Sequence, residues 1–296
     1  MKAKRILYLL PLLAVLSFVV LFSCESMGSV MQTAGALVGG SEGAFLTSLA
    51  KTFEEITPEQ EYYIGRAVAA NVLSVYQIQT DTPELTAYLN KVCNALVINS
   101  PRSEIFNGYH ANILDSDEIN AFATPGGHIF ITRGLISCTT SEDTLAAVVA
   151  HEIAHIQLEH GLKAIKSSRR ASAFSDGLSL AVEVGAGDSR FPGLVNAFAG
   201  GVDEIVTNMM TKGYSRSQEN DADAEALNLM ALAGYEPSSL LDMLRVLEKE
   251  QPGKRGGFNN THPTPAQRIS SVQRAVGKYK VPDTQSYRLG RFASVL

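Results

Sequence analysis

His151-Glu152-Ile153-Ala154-His155 is the stretch that decides both the fold and the chemistry of this chain. It lies in a segment with helical periodicity, for which we predict one helix from Ser141, its N-cap, to about Ser167. Residues four apart on a helix share a face, so both imidazoles can bind one metal ion. Glu152 would then lie beside an activated water, as in a zinc hydrolase with a carboxylate base. The alternative is an amphipathic helix with two surface histidines.

The length and hydrophobic content of the chain are enough to form one large domain, or two small ones, with a sizeable core. The chain has 296 residues, 45% of them hydrophobic, and a formal net charge of −5. Because a negative protein repels polyanions, we expect no nucleic-acid partner.

The N-terminus has the pattern of a bacterial lipoprotein. Three basic residues precede an apolar run that ends at Leu21-Phe22-Ser23-Cys24, which resembles a lipobox. We predict a signal peptide at residues 1–23, a lipid on Cys24 and a flexible tether at 24–56. An uncleaved membrane anchor is the alternative. In both cases we expect a periplasm-facing protein of the bacterial cell envelope that is held at a membrane.

Residues 57–296 are predicted to form one α+β domain, mostly helical, with a small sheet. Thr57-Pro58-Glu59-Gln60 and Thr264-Pro265-Ala266-Gln267 have the spacing of helix capping boxes. Residues 171–212 are predicted to be a helical insertion near the site. The remaining predicted elements are strands at 110–114, 120–123 and 128–132, and helices at 58–76, 82–97, 215–232, 237–250 and 264–276.

A catalytic zinc ion needs a third protein ligand and one open position. His160 does not fit the extended His-Glu-x-x-His-x-x-Gly-x-x-His pattern, so we interpret it as a helix-end residue that favours the helix dipole. Glu219 is the better candidate, because it shares a helix face with Asp223 four residues later. Asp223 would accept the N–H of a ligating histidine and fix its tautomer. The alternative for this pair is a solvated acidic helix face.

These acidic residues, placed after a His-Glu-x-x-His helix, resemble the gluzincin metallopeptidases, and more closely the HtpX and CAAX prenyl protease type family. The other segments that carry the resemblance are Thr57–Gly65, Asn120–Gly127, Gly134–Ile136, Tyr214–Arg216, and His262-Pro263 with Arg268. They span residues 57–276 in the family's order. With one apolar segment and no helical-repeat domain after residue 276, the chain is most similar to the short periplasmic lipoprotein peptidases.

The resemblance implies a zincin-like domain that holds one Zn²⁺ ion. His151, His155 and Glu219 would be the ligands, and Glu152 would be the general base and then the proton donor to the leaving amine. Asp223 would have the supporting role given above.

Further roles are implied outside the ligand set. The strand with His128, Ile129 and Phe130 would bind an extended substrate through its backbone. His262 would either hydrogen-bond the developing oxyanion or close the site by approaching zinc, and Arg268 would orient these groups. Without the resemblance, His262 would simply start a helix and Arg268 would be a surface arginine.

The implied function is a zinc-dependent endopeptidase that cleaves unfolded or misassembled envelope proteins. A different class is an assembly factor or holdase that binds extended segments and keeps its metal site closed. A purely structural zinc module is disfavoured, because three ligands leave an open position. After lipidation of Cys24, Cys93 and Cys138 would form either a disulfide or two separate buried thiols.

Overall fold

The computed structural model describes residues 32–33, 36–37, 56–166, 205–250, 257–262, 264–281 and 283–295. Thr57–Ile165 and Gly201–Leu296 form one compact unit, to which all the elements below belong. The predicted signal peptide, Cys24, most of the tether and most of the predicted insertion lie outside the described residues. Within the described ranges, every helix is too short or too polar to cross a membrane.

The compact unit is mostly helical with one small sheet, which confirms the α+β prediction. A 3₁₀ turn at Pro125–Gly127 joins the second and third strands, and a π-helical turn at Asn208–Lys212 precedes the fifth helix. The elements, in chain order, are α1 Pro58–Val75, α2 Pro83–Val97, β1 His110–Leu114, β2 Ala121–Thr124, β3 His128–Thr132, α3 Arg133–Ser137, α4 Glu142–Gln157, α5 Arg216–Leu232, α6 Ser238–Glu250, α7 Phe258–Thr261, α8 Pro265–Val276 and α9 Gln285–Ala293.

The helix with the His-Glu-x-x-His motif, α4, is the centre of the unit. Ser141 is its N-cap, as predicted, and forms a capping box with Thr144. All of its residues from Glu142 to Ile156 are buried. A helix buried on every side can hold catalytic side chains in fixed positions, because neighbouring elements pack against all of its faces.

The prediction of one uninterrupted helix to Ser167 was wrong. Helix α4 ends at Gln157, Leu158 and Glu159 form a turn, and a new helical segment occupies residues 160–166. Glu159 has a φ of +54°, in the left-handed region that non-glycine residues seldom adopt. The left-handed position is occupied by Glu159 rather than by a glycine, and the nearest glycine, Gly161, lies within the following helical segment, so the pattern did not reveal the break.

The sheet has the strand order β1-β3-β2. Strand β3 pairs in parallel with β1 and antiparallel with β2, so it is the central strand. The outer side of β1 is also occupied, because the Asn90 side chain donates to Ala111 O at 2.7 Å and accepts from Ala111 N–H at 2.9 Å. Strand β2 is therefore the edge of the sheet nearest to α4.

Helix α1 fixes the turn that follows this edge strand. Its predicted capping box, between Thr57 and Gln60, is confirmed. Gly65 lets the helix approach the turn closely, because a Cβ there would lie 1.7 Å from Pro125 O. Gly126 has a φ of +72°, and a Cβ on it would lie 2.6 Å from Tyr62 Cα. The turn between β2 and β3 is thus packed directly on the backbone of α1.

Helix α5 packs against α4 through small residues. Ala222 and Ala226 are fully buried between the helices, and Ser215 caps α5 in a capping box with Gln218.

Two local predictions were wrong. The capping box predicted at Thr264 is absent, since the Thr264 side chain makes no cap hydrogen bond. Cys93 and Cys138 are both free thiols, so the disulfide alternative is wrong.

Candidate metal centre

The two histidines of α4 converge on one point. His151 and His155 are each 2% exposed, and their Nε2 atoms lie 3.2 Å apart. This spacing follows from their i, i+4 relation on a regular helix. They are buried, so the alternative of two surface histidines is wrong.

Helix α5 adds a carboxylate to this point. Glu219 Oε2 lies 3.5 Å from His151 Nε2, and Glu219 Oε1 lies 3.5 Å from His155 Nε2. Glu219 is fully buried, which excludes a solvated acidic face. The close α4–α5 packing through Ala222 brings the carboxylate within reach. The structure therefore brings together the three residues that the sequence proposes as ligands.

A third imidazole completes the cluster. His262 Nδ1 lies 2.9 Å from Glu219 Oε1 and 3.4 Å from His151 Nε2. One ligand atom from each of His151, His155, Glu219 and His262 lies within 4.8 Å of the others. Of the two positions that the sequence left open for His262, the structure shows the one inside the ligand cluster. Its backbone is extended at the end of α7, and it is 4% exposed.

Glu152 lies beside the cluster without joining it. It is 1% exposed, and its Oε1 lies 3.8 Å from His262 Nε2. Burial raises the pKa of Glu152, although the neighbouring histidines oppose this shift. A raised pKa suits a carboxylate that has to accept a proton and return it near neutral pH.

Asp223 and Arg268 support the cluster from behind. Asp223 Oδ1 lies 3.2 Å from His151 Nδ1, and Arg268 Nε donates to Asp223 Oδ2 at 2.9 Å. Arg268 is 2% exposed, so the surface-arginine alternative is wrong, and its Nη1 lies 3.4 Å from Glu219 Oε2. Burial would raise the pKa of Asp223, but Arg268 and His151 together hold it below its usual value. An ionised Asp223 can accept the Nδ1–H of His151.

The contacts that His160 and Tyr214 make with His155 were not predicted from the sequence. His160 is 1% exposed, and its Nδ1 lies 2.9 Å from His155 Nδ1. The Tyr214 ring is stacked on His155, with centroids 4.3 Å apart and planes 21° apart. His160 is therefore not the helix-end residue of our prediction, since it begins the segment after the break. The Tyr214-Ser215-Arg216 stretch was noted only as part of a resemblance.

The proposed substrate strand needs correction. His128, Ile129 and Phe130 belong to β3, whose backbone is paired on both sides. A central strand has no free N–H or C=O groups for an added strand. The error arose because alternation identifies a strand but does not reveal its place in a sheet. Strand β2, next to α4, is the edge strand instead.

The donor set fits a bound divalent metal ion. Imidazole nitrogens with one carboxylate oxygen are typical of zinc sites, and Glu219 Oε2 and Glu152 Oε1 are buried without hydrogen-bond partners among the described residues. Burial keeps the pKa of His155 well below its usual value. Burial would raise the pKa of Glu219, but the neighbouring histidines and Arg268 outweigh this effect and keep the pKa of Glu219 well below its usual value. Both groups are then in the form that binds a metal.

Unlike His155, His151 has a raised pKa. Burial and Arg268 would lower its pKa, but hydrogen bonds to Asp223 and Glu219 raise it to about 9. A metal ion bound at Nε2 has to displace that proton, so metal binding is coupled to proton release.

Residues 81–276 match the sequence profile of peptidase family M48. The chain belongs to peptidase family M48. It is thus a metallopeptidase, and the cluster on α4, α5 and the α7 segment is its candidate active centre.

Curated relatives agree with this class. The chain is 26% identical over 263 residues to the beta-barrel assembly-enhancing protease of Yersinia pestis, covering 87% of this chain and 50% of that protein. It is 25% identical to the mitochondrial metalloendopeptidase OMA1 of Schizosaccharomyces pombe, covering 81% of this chain and 70% of the relative. It is 25% identical to metalloprotease LoiP of Escherichia coli, and the match covers 86% of this chain and 91% of that relative. The chain therefore spans only half the length of the Yersinia relative.

Proposed function

We propose that this metallopeptidase is a zinc-dependent endopeptidase of the bacterial cell envelope that cleaves unfolded or misassembled proteins. The observation that carries the proposal is the position of Glu152, a buried carboxylate with a raised pKa beside the four-residue ligand cluster. A purely structural metal site has no use for such a base. The substrate class rests on the resemblance described above and on the name of the Yersinia relative.

The proposed chemistry assigns one role to each residue. His151, His155 and Glu219 would hold the zinc ion, which when bound would supply Lewis acidity for peptide hydrolysis. Glu152 takes the proton of the attacking water and delivers it to the leaving amine. Asp223 keeps His151 in the tautomer that offers Nε2 to the metal, and Arg268 holds Asp223 in place.

An extended substrate would pair with the edge strand β2. Thr132 N–H donates to Asn120 O at 3.1 Å, so Asn120 faces β3. Because backbone directions alternate along a strand, Ala121 and Ala123 direct their N–H and C=O groups away from β3. The Ala121 N–H already donates to Asn120 Oδ1 at 3.0 Å. The Ala121 C=O and the N–H and C=O of Ala123 could receive a peptide by β-augmentation, and they replace His128, Ile129 and Phe130 in that role.

The α7 segment contacts the two residues that precede this edge strand. Phe258 N–H donates to Ile119 O at 2.8 Å, and Thr261 Oγ1 donates to Asn120 Oδ1 at 3.1 Å. The same segment ends at His262, inside the ligand cluster. In this arrangement His262 acts as the closing ligand, and it could serve as an oxyanion donor only after leaving the cluster.

The second candidate function follows from that closed arrangement. With His262 as a fourth ligand, zinc would have the closed coordination typical of structural sites. The protein would then act as an assembly factor or holdase for extended envelope proteins and would rarely cleave them.

We also propose the organisation of the whole chain from its sequence. Residues 1–23 would be a lipoprotein signal peptide, 24–56 a tether lipidated on Cys24, and 57–296 the peptidase domain facing the periplasm. The short lipoprotein type of the HtpX and CAAX prenyl protease group is supported by the N-terminal pattern. The 91% coverage of metalloprotease LoiP supports only the part of this proposal that concerns length.

A digestion assay separates the two functions. The full-length chain is incubated with an unfolded, non-native protein, with and without a zinc chelator, beside the Glu152→Gln variant. Endopeptidase activity predicts chelator-sensitive fragments from the wild type and none from the variant. Equal suppression of substrate aggregation by both proteins, without any fragments, would instead support the holdase.

A further inference from the structure

The break after α4 directs His160 back onto the motif helix. In an uninterrupted helix, residues five apart do not share a face, so residue 160 would point away from residue 155. The turn at Leu158 and Glu159 changes this direction, and it includes the left-handed backbone of Glu159, with a φ of +54°. Non-glycine residues seldom adopt this region, and such backbone strain is common near functional sites.

The contact made by His160 involves the outer nitrogen of a proposed ligand. His155 Nε2 faces the cluster, 3.2 Å from His151 Nε2, so His155 Nδ1 points away from it. His160 Nδ1 lies 2.9 Å from that outer atom, and Tyr214 stacks on the face of the same ring. His155 is therefore held both at its edge and on its face.

We propose that His160 is a positioning residue for the metal centre. Its Nδ1 accepts the Nδ1–H of His155, and this hydrogen bond keeps the lone pair of His155 Nε2 directed at the metal. His160 itself carries its proton on Nε2. The inference rests on the proposed metal site but not on proteolysis. It parallels the role of Asp223 toward His151 with a neutral group instead of a carboxylate.

The charges of the buried cluster explain why a neutral partner suits His155. The cluster contains three carboxylates, Glu152, Glu219 and Asp223, and one guanidinium, Arg268. With a bound dication these charges balance. A fourth carboxylate at position 160 would leave an uncompensated negative charge in a buried site, which is costly. An imidazole provides the acceptor without that charge.

The test compares zinc affinity among variants at position 160. Asparagine places its amide oxygen near the position of Nδ1, whereas glutamine places its amide near Nε2. His160→Ala should bind zinc about 10- to 100-fold more weakly, the usual effect of removing such a partner. His160→Asn should recover most of the affinity, and His160→Gln should not. Affinity is measured on the full-length chain by competition with a chromophoric zinc chelator, and the Co²⁺ absorption spectrum reports the ligand geometry.

The comparison of asparagine with glutamine separates positioning from packing. Both amides have similar polarity, so a purely structural role predicts that they behave alike. Equal zinc affinity in these two variants, or wild-type affinity in His160→Ala, would overturn the inference. His151→Ala is measured in the same assay. If it keeps wild-type affinity, the metal site itself is wrong, and the role of His160 fails with it.

Discussion

His262 Nδ1 lies 2.9 Å from Glu219 Oε1, so a histidine from the α7 segment contacts the α5 carboxylate inside the metal-ligand cluster. In the proposed zinc site, His262 would occupy the position that a catalytic ion keeps open. On this proposal, peptide hydrolysis would require the α7 segment to leave the cluster. The same segment hydrogen-bonds Ile119 and Asn120, the two residues that precede the edge strand β2.

The first prediction concerns this closing residue. His262→Ala should keep one bound zinc, because three ligands remain, and should cleave an unfolded protein severalfold faster than the wild type. Zinc content and initial cleavage rate are measured on the same preparation. A fall in rate of about 10²- to 10³-fold would instead show that His262 is the oxyanion donor during catalysis.

The second prediction concerns the contact between α1 and the β2–β3 turn. Glu61 is 3% exposed, accepts from Gly126 N–H at 3.1 Å and pairs with Arg102, which donates to Ile156 O at 2.9 Å. Glu61→Gln should lower the free energy of unfolding by about 1–3 kcal/mol, because buried charge-assisted hydrogen bonds are weakened. Urea denaturation measures the change.

The matched control is Glu59→Gln, an exposed position on the first turn of the same helix. Surface substitutions of this kind usually change stability by no more than about 0.5 kcal/mol. If both variants lose the same stability, Glu61 does not hold the turn through its hydrogen bonds.

The third prediction is a pH dependence at the start of α4. Burial would raise the pKa of Glu142, but hydrogen bonds from Arg291, Tyr88 and Tyr235 outweigh burial and keep it below the usual 4.5. Because the folded pKa is depressed, the carboxylate stabilises the fold above about pH 4.5, and this stabilisation is lost as the pH falls through the folded value. Glu142→Gln should therefore reduce the loss of Tm on acidification.

Thermal melts of the wild type and the variant between about pH 3 and pH 7 measure this difference. Glu84→Gln, at an exposed position on α2, serves as the control and should keep the wild-type pH profile. A Glu142→Gln profile parallel to that of the wild type would show that this carboxylate does not contribute to acid sensitivity.

The fourth prediction tests the proposed anchor. Cys24→Ala should abolish incorporation of a labelled fatty acid and release the protein from the membrane fraction, because the lipobox-like sequence has lost its acceptor thiol. Cys93→Ala removes a different, buried thiol and should leave labelling unchanged. Persistent labelling of Cys24→Ala would exclude Cys24 as the lipidated residue.

Local pattern was sufficient to predict much of the peptidase unit. The i, i+4 spacing placed His151 and His155 on one face, and the same spacing paired Glu219 with Asp223. Ser141 was also recognisable as a helix cap from its place before the apolar periodicity. Each of these features depends only on residues within one helix.

Features that depend on distant contacts were not predictable in this way. The central position of β3 is set by pairing with two strands, which alternation does not encode. The left-handed residue at the break is Glu159 rather than a glycine, so the break and the contact of His160 with His155 were missed. The sequence left two positions open for His262, because its place depends on the packing of the α7 segment against Ile119 and Asn120.

The most direct test is to measure zinc content and peptide hydrolysis together in Glu152→Gln. Glutamine has nearly the shape of glutamate but cannot take a proton, and Glu152 lies outside the four-residue ligand cluster. We predict one zinc per chain, as in the wild type, with cleavage of an unfolded protein reduced by at least about 100-fold. Cleavage at the wild-type rate by the zinc-loaded variant would contradict the assignment of Glu152 as the base.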